Sequence, residues 1–188
     1  VSSPPESGKT VAWLACEVTC AAFNPAFEAA TDALGWNLEI INVASFGNNA
    51  AILQALDLGA DFIAITGTPP ATIADEIAIA QERGVGMYMC FDTTLPDPEN
   101  NNIYTNCAGE ANVYAAGQLH ANKIIVESGG NANVLMVNIP DFAVLVSERE
   151  GAKAAYAENC PNCSFQELAV TLDQLLTGGV PGLSLIHI

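Results

Sequence analysis

Short apolar runs alternate with amphipathic stretches through the first half of the chain. Helical periodicity occupies the intervals between the runs, and each interval closes on a glycine, the residue that adopts the left-handed cap of a helix at no steric cost. The apolar runs start roughly 25 residues apart, about the length of one strand-plus-helix step. They cover residues 10–16 (TVAWLAC), 38–44 (LEIINVA), 61–66 (DFIAIT) and 85–91 (VGMYMCF), with helical stretches at 21–34, 49–58 and 71–83.

These runs are continuous rather than alternating, which is typical of strands buried on both faces of a sheet. Strands that alternate with helices indicate a parallel sheet with right-handed crossovers. We therefore predict an α/β fold with a doubly wound parallel sheet in the flavodoxin-like order 2-1-3-4-5. This first lobe is expected to span residues 10–108, with its fifth strand at 103–106.

The same pattern restarts after a polar Pro/Asn loop at 92–102. It predicts a helix at 109–127, a strand at 133–138, a helix near 144–157 and a strand at 165–170. Two strands are too few for an independent core. Residues 109–182 are therefore expected to be the start of a second α/β lobe, truncated before completion.

Both ends of the chain look unlike the rest of it. Residues 1–9 (VSSPPESGK) are rich in Pro and Ser, which is typical of a flexible leader. Residues 183–188 (LSLIHI) resemble the translated transposase end of sequencing-library adapters, although an ordinary apolar tail is the alternative. We expect a non-native tail there and interpret the chain as a gene fragment.

Charge and composition narrow the classes of function. Five Lys plus Arg against 21 Asp plus Glu give a net charge of −16, which disfavours nucleic acid and anionic membranes as partners. No apolar run approaches the ~20 residues that a membrane span needs, so direct membrane insertion is not expected. The acidic composition, with six cysteines and little lysine, favours an exported protein.

Motifs for catalysis and cofactors are missing from the sequence. No GxGxxG follows the first strand and no GxxxxGK[ST] occurs, so neither a dinucleotide nor a P-loop nucleotide is expected. The histidines are His120 and His187, the second within the tail, so a His-rich metal site or a catalytic triad would depend on His120 alone. We predict no enzyme activity, no cofactor and no metal site.

The six cysteines allow several arrangements. Cys16 and Cys20 bracket the loop after the first strand, and Cys160 and Cys163 form CPNC in a helix-to-strand turn. A redox-active CxxC lies at the start of a helix, unlike this one, and no further ligands can be assigned for a zinc site. A structural disulfide in each loop is therefore favoured over a metal site or a redox function. Cys90 and Cys107 either form a third pair or remain free.

In an open parallel sheet, ligands bind outside the carboxyl ends of the strands. The residues there are short polar groups with a few aromatics, a set that suits a neutral, hydroxyl-rich small molecule. Each also has a structural alternative, because Thr and Asn cap helices and an Asp before a Pro-rich loop initiates turns. The candidates are Glu17, Val18, Thr19, Ser45, Phe46, Thr66, Gly67, Thr68, Asp92, Thr93 and Asn106 in the first lobe, and Asn138, Asp141, Phe142 and Arg149 in the second.

Taken in order and spacing, these segments resemble a known family, the type I periplasmic substrate-binding proteins of ABC transporters, in their sugar-binding, ribose-binding-like group. The resemblance covers roughly residues 9–182. It rests on DALGWNLEIINV, ALDLGADFIAIT, AIAQERGVGMYMCFD, NIYTNCAGEANVYAAGQLHANKI and VLMVNIPDFAVLVSEREGAKAAY.

The resemblance implies a solute-binding protein that holds a small ligand, by family default a sugar, between two hinged lobes and delivers it to an ABC permease. It places the ligand-binding aspartate at Asp92 and the closing arginine at Arg149. The family's Asn-Pro-aromatic loop after the first strand is replaced by CEVTC, so its stacking contacts are not carried over. The location implied is outside the cytoplasm, in a periplasm or on a lipid-anchored surface protein with its anchor upstream.

Two other classes share the fold. A lac-repressor-type transcription regulator would carry a DNA-binding segment upstream and a more basic chain. A sensory binding protein that docks on a receptor would use the same ligand site. An upstream export signal with a lipidation cysteine, or a DNA-binding segment in its place, discriminates between transport and transcription.

Overall fold

The computed structural model describes residues 5–16, 20–43 and 47–180. The expectations for Glu17, Val18, Thr19, Ser45, Phe46 and residues 183–188 lie outside the described residues. The chain divides into two compact units, unit 1 up to Cys107 and unit 2 from Ala108 onward. Each unit has its own sheet.

Unit 1 is a five-stranded sheet in the order β2-β1-β3-β4-β5, with every neighbouring pair parallel. The predicted strand order is therefore confirmed. Its elements are β1 (Thr10–Cys16), α1 (Asn24–Leu34), β2 (Asn37–Val43), α2 (Asn48–Asp57), β3 (Phe62–Thr66), a 3-10 turn (Pro70–Thr72), α3 (Ala74–Glu82), β4 (Gly86–Cys90) and β5 (Ile103–Asn106).

Local sequence explains the start and the end of α1. Pro25 lies in the first turn, where its missing N–H is one of the donors that have no helical partner. Gly35 ends the helix at φ 66°, in the left-handed region, and its N–H donates to the carbonyl of Asp32. The helix therefore begins three residues later than the periodicity predicts, and it ends where predicted.

The two faces of this sheet carry separate cores. One face packs Leu14, Ile63 and Met87 against α2 and α3. The other face packs Trp13 and Ala64 against α1, which contributes Phe27. Alternate residues of each strand supply the two cores, as strand geometry requires.

Burial on both faces holds for the central strands β1 and β3 and not for the edge strand β2. Residues 11–15 of β1 and 63–65 of β3 are fully buried. In β2, buried and exposed residues are interleaved, and Leu38 and Ile40 are only half-buried. The expectation was wrong for β2 because an edge strand of this sheet has a packed neighbour on one side only.

Unit 2 pairs two parallel strands with two long helices. Its elements are α4 (Glu110–Glu127), β6 (Asn133–Asn138), α5 (Ala143–Asn159), β7 (Ser164–Ala169) and α6 (Leu172–Leu176). The periodicity did not predict α6, which begins with a capping box between Thr171 and Gln174. Tyr156 of α5 stacks on Phe165 of β7 at 5.4 Å between ring centroids and closes a small core.

The side of the β6–β7 sheet away from that core is exposed. Leu135 and Val137 are 42% and 43% exposed. Within the described residues, this face of β6 is therefore only partly covered. None of the described helices is both long and apolar enough to span a membrane.

Candidate ligand-binding site

The carboxyl ends of β3, β4 and β5 carry a connected set of polar groups. The hydroxyl of Thr66 donates to the carbonyl of Cys90 at 3.3 Å, and the N–H of Gly67 donates to the same carbonyl at 2.9 Å. Thr68 is buried, and its hydroxyl accepts from Asn48 at 3.0 Å. The loop after β3 is thus tied to both β4 and α2.

Asp92 and Asn106 join the ends of β4 and β5. One carboxylate oxygen of Asp92 accepts from the backbone N–H of Thr94 at 2.7 Å, which makes Asp92 the initiator of a local turn. The amide of Asn106 donates to the carbonyls of Asp92 at 2.6 Å and Thr94 at 3.2 Å. Asp92 is 6% exposed, so a carboxylate sits buried at this edge.

An aromatic cavity of about 270 Å³ lies beside this polar edge, on the face of the sheet that packs against α1. Trp13 and Phe27 form its stacked floor, with ring centroids 4.4 Å apart. No charged side chain lines it within the described residues. The lining consists of Trp13, Phe23, Ala26, Phe27, Ala30, Thr66, Tyr88, Cys90, Phe91 and Cys107.

The first helix is anchored to this cavity by a specific hydrogen bond. The indole N–H of Trp13 donates to the side-chain oxygen of Asn24 at 2.9 Å. Phe23 and Phe27, on either side of Asn24 and Pro25, both line the cavity. The expectation that CEVTC replaces an Asn-Pro-aromatic loop left out this segment, residues 23–27 (FNPAF), although its Asn-Pro pair beside aromatics was the available signal.

All six cysteines form disulfides. Cys16–Cys20 and Cys160–Cys163 pair as predicted, with Cα separations of 5.1 Å and 5.3 Å. The third pair, left open by the sequence, joins Cys90 at the end of β4 to Cys107 after β5, with Cα atoms 4.8 Å apart. This disulfide lies at the cavity.

Unit 2 gathers two of its predicted residues around a third that was not predicted. The amide of Asn138 donates to Glu167 at 2.8 Å, and the guanidinium of Arg149 donates to the same carboxylate at 2.9 Å. Asn138, with Arg149 next, holds the pKa of Glu167 below its usual range. A charged residue within the apolar β7 run was the signal for Glu167.

The remaining predicted residues occupy separate positions. Thr93 is half-buried in the turn that Asp92 begins. Asp141 is exposed and Phe142 precedes α5, and neither joins the Glu167 cluster. Thr66, Thr68, Asp92, Thr93 and Asn106 therefore share the carboxyl edge of unit 1, while Asn138 and Arg149 meet in unit 2.

Other parts of the described chain offer weaker alternatives. A wider cavity of about 570 Å³ lies at the amino ends of β1 and β2, where Thr10 and Asn37 line it. Parallel sheets bind ligands at the opposite, carboxyl edge. Among residues 5–16, 20–43 and 47–180, no three His, Cys, Asp or Glu side chains are grouped closely enough to hold a metal ion.

Solved structures share this arrangement of strands and helices. An ABC transporter solute-binding protein from Mycobacterium smegmatis with bound glycerol aligns at a TM-score of 0.74 and 16% identity, over 95% of this chain and 62% of its own. One from Burkholderia graminis in complex with D-arabinose gives 0.70 and 16%, over 97% and 63%. The fructose-binding periplasmic domain of a hybrid two-component system gives 0.66 and 16%, over 87% and 54%.

These likenesses establish the fold. The chain spans between 54% and 63% of the length of the three structures. Comparison by sequence finds no matching family model and no matching curated protein.

Proposed function

We propose that this chain, which has the fold of the type I periplasmic sugar-binding proteins of ABC transporters, binds a small hydroxylated ligand, a sugar, at the carboxyl edge of unit 1. The observation that carries the proposal is the juxtaposition there of a buried carboxylate, Asp92, with an uncharged aromatic cavity. One of the three structures is a fructose-binding domain and another is in complex with D-arabinose, which supports the sugar class. The protein acts by binding and not by catalysis.

The chemistry of the edge matches the two kinds of surface on a sugar ring. Carboxylate and hydroxyl oxygens such as those of Asp92 and Thr66 accept hydrogen bonds from sugar hydroxyls. The amide of Asn106, which donates to the carbonyls of Asp92 and Thr94, is proposed to hold this edge in shape for the ligand. Aromatic faces pack against the apolar C–H face of the ring. Thr68 and Thr93 complete the set in unit 1, and Glu17 and Thr19 in the loop after β1 are proposed to belong to it.

Unit 2 is proposed to supply a second set of contacts, from Asn138, Asp141, Phe142 and Arg149. Holding a ligand between two lobes would hide it from water, and release to an ABC permease outside the cytoplasm would follow. The placement outside the cytoplasm is supported by the three disulfides, because such bonds persist in oxidising compartments.

The test is a titration of the chain with D-arabinose, D-fructose and D-xylose, followed by NMR to tens of millimolar so that weak binding is covered. Asp92→Asn keeps the oxygen that accepts from Thr94 and removes the charge. We expect it to weaken binding about tenfold or more, since a hydrogen bond to a charged group contributes about 1.5–3 kcal/mol.

The matched control is Asp97→Asn in the same loop. Asp97 also accepts locally, from Asn100, but it is exposed. Affinity should be unchanged in this variant. Equal affinity for Asp92→Asn and the unmodified chain, or no binding of any sugar, would contradict the proposal.

A sensory role is the second candidate, because one structure of the same fold is the periplasmic domain of a two-component system. Sensing and transport share the step of sugar binding and differ in the protein that receives the loaded chain. Restored sugar uptake, by the full gene supplied to a strain that lacks its own binding protein, would favour transport. A sugar-dependent change in gene expression without uptake would favour sensing.

A further inference from the structure

Phe91 has an unusual backbone conformation for a bulky residue. Its φ is 53°, in the left-handed region. Asn102 is the other non-glycine residue with positive φ in the described part of the chain, and asparagine tolerates this region well. For phenylalanine such a conformation persists only where the surrounding structure imposes it.

Fixed groups on both sides of Phe91 impose the conformation. On the amino side, Cys90 is held by the disulfide to Cys107, and its carbonyl accepts from Gly67. On the carboxyl side, the carbonyl of Asp92 accepts from Asn106 at 2.6 Å. The Cys90–Phe91 peptide before the residue and the Asp92–Thr93 peptide just after it are therefore both held in place.

The imposed conformation places an apolar ring where core packing does not need it. Phe91 lines the aromatic cavity with Tyr88 and Phe27, yet it is 41% exposed. A strained backbone that keeps a large apolar side chain partly in water gains little stability from the arrangement. Strain of this kind clusters at ligand clamps, where the ring has a ligand to contact.

We propose that Phe91 contacts the ligand at the proposed sugar site, its ring packing on the C–H face of the bound ring. The Cys90–Cys107 disulfide acts as the positioning pair that holds it there. This inference rests on the proposed function and adds a contact residue and a dependence on the disulfide. Sugar affinity at this edge is then sensitive to reduction of one particular disulfide among the three.

The first measurement compares Phe91→Gly with Phe91→Tyr in the same NMR titration with D-arabinose, D-fructose and D-xylose. Glycine removes the ring and accepts positive φ without strain, so the melting temperature should not fall while affinity falls fivefold or more. Tyrosine keeps an aromatic face and should retain affinity within twofold. Leu95→Ala is the control, because Leu95 is 82% exposed and does not line the cavity.

The second measurement tests the positioning role by a double-mutant cycle. Replacing Cys90 and Cys107 by serine should weaken sugar binding threefold or more when Phe91 is present. It should weaken binding less than twofold in the Phe91→Gly background, because no ring is left to position. Replacing Cys160 and Cys163 by serine removes a disulfide of unit 2 and should leave affinity unchanged.

The outcomes separate this inference from the proposed function. A sugar affinity that Phe91→Gly leaves unchanged overturns the inference, and the proposed function still stands. If replacing Cys90 and Cys107 lowers sugar affinity equally with Phe91 present and in the Phe91→Gly background, the disulfide does not position the ring. No binding of any sugar by the unmodified chain overturns both.

Discussion

At the scale of single residues, Arg149 is more constrained than its predicted role suggests. Its guanidinium donates to both oxygens of Glu167 and to Glu150. The hydrogen bond to Glu167 is the main cause that raises the pKa of Arg149. The Nε of Arg149 and the Oδ1 of Asn138 are buried without a hydrogen-bond partner. The cluster thus combines a satisfied ion pair with one buried donor and one buried acceptor that have no hydrogen-bond partner.

The lowered pKa of Glu167 gives a pH prediction. In the range between its folded pKa and the unfolded value near ~4.3, the unfolded state binds more protons. Glu167 therefore stabilises the fold above that range, and this stabilisation is lost as pH falls through the folded pKa. At pH 7, Glu167→Gln should lower the free energy of unfolding of unit 2 by about 1–2 kcal/mol. The deficit should shrink below about pH 4.

Urea unfolding followed by NMR signals of unit 2, at a series of pH values, measures this difference. Glu158→Gln is the control, because Glu158 is exposed on the same helix that carries Arg149. A deficit of equal size at pH 7 and pH 3 would contradict the assignment.

At the scale of elements, α4 and α5 pack with their backbones in close approach. A Cβ added at Gly117 of α4 would overlap the carbonyl oxygen of Glu148. A Cβ added at Gly151 of α5 would overlap the carbonyl oxygen of Tyr114. Each helix thus places a glycine against a backbone carbonyl of the other helix. A shift of either helix that relieves an overlap at one glycine also disturbs the packing at the other glycine.

Gly117→Ala and Gly151→Ala should each destabilise unit 2, even though alanine favours helix formation by about 1 kcal/mol over glycine. Overpacking against a backbone carbonyl costs roughly 1–3 kcal/mol or more and has no flexible side chain to absorb it. Thermal unfolding by circular dichroism measures the loss. Ala115→Ser also adds one heavy atom to α4, at an exposed position, and should change stability by less than about 0.5 kcal/mol.

At the scale of the whole molecule, the two units differ in how fully their sheets are covered. The central strands of unit 1 are buried on both faces, with Leu14, Ile63 and Met89 at most 1% exposed. In unit 2, the face that carries Leu135 and Val137 is partly in water. A two-stranded sheet covered on one face has fewer contacts to break when it opens.

Hydrogen exchange should therefore separate the units. Backbone amides of β1 and β3 should exchange at least tenfold more slowly than those of β6 and β7, because local opening of the smaller sheet needs less free energy. Strand β2 is the internal control, since it is also an edge strand but belongs to the larger sheet. Exchange in β6 as slow as in β3 would show that the exposed face does not lower the stability of unit 2.

The sequence by itself determined the elements and the order of the large sheet. Apolar runs, helical periodicity and helix-ending glycines are local signals, and right-handed crossovers leave few ways to connect them. Strand β1 spans Thr10–Cys16 as predicted, and β5 and β6 also match their predicted bounds. Cys16–Cys20 and Cys160–Cys163 were predictable for the same reason, because each closes a tight loop whose ends are near in sequence.

Only the tertiary structure decided the contacts between residues far apart in the chain. The pairing of Cys90 with Cys107, the approach of Arg149 to Glu167 and the crossing of α4 at Gly117 each depend on how elements pack. Sequence periodicity reports which face of an element is apolar, but not which side chain of another element it meets. The positive φ of Phe91 likewise has no local cause, because it is imposed by a disulfide and by hydrogen bonds that close only when β4 and β5 lie side by side.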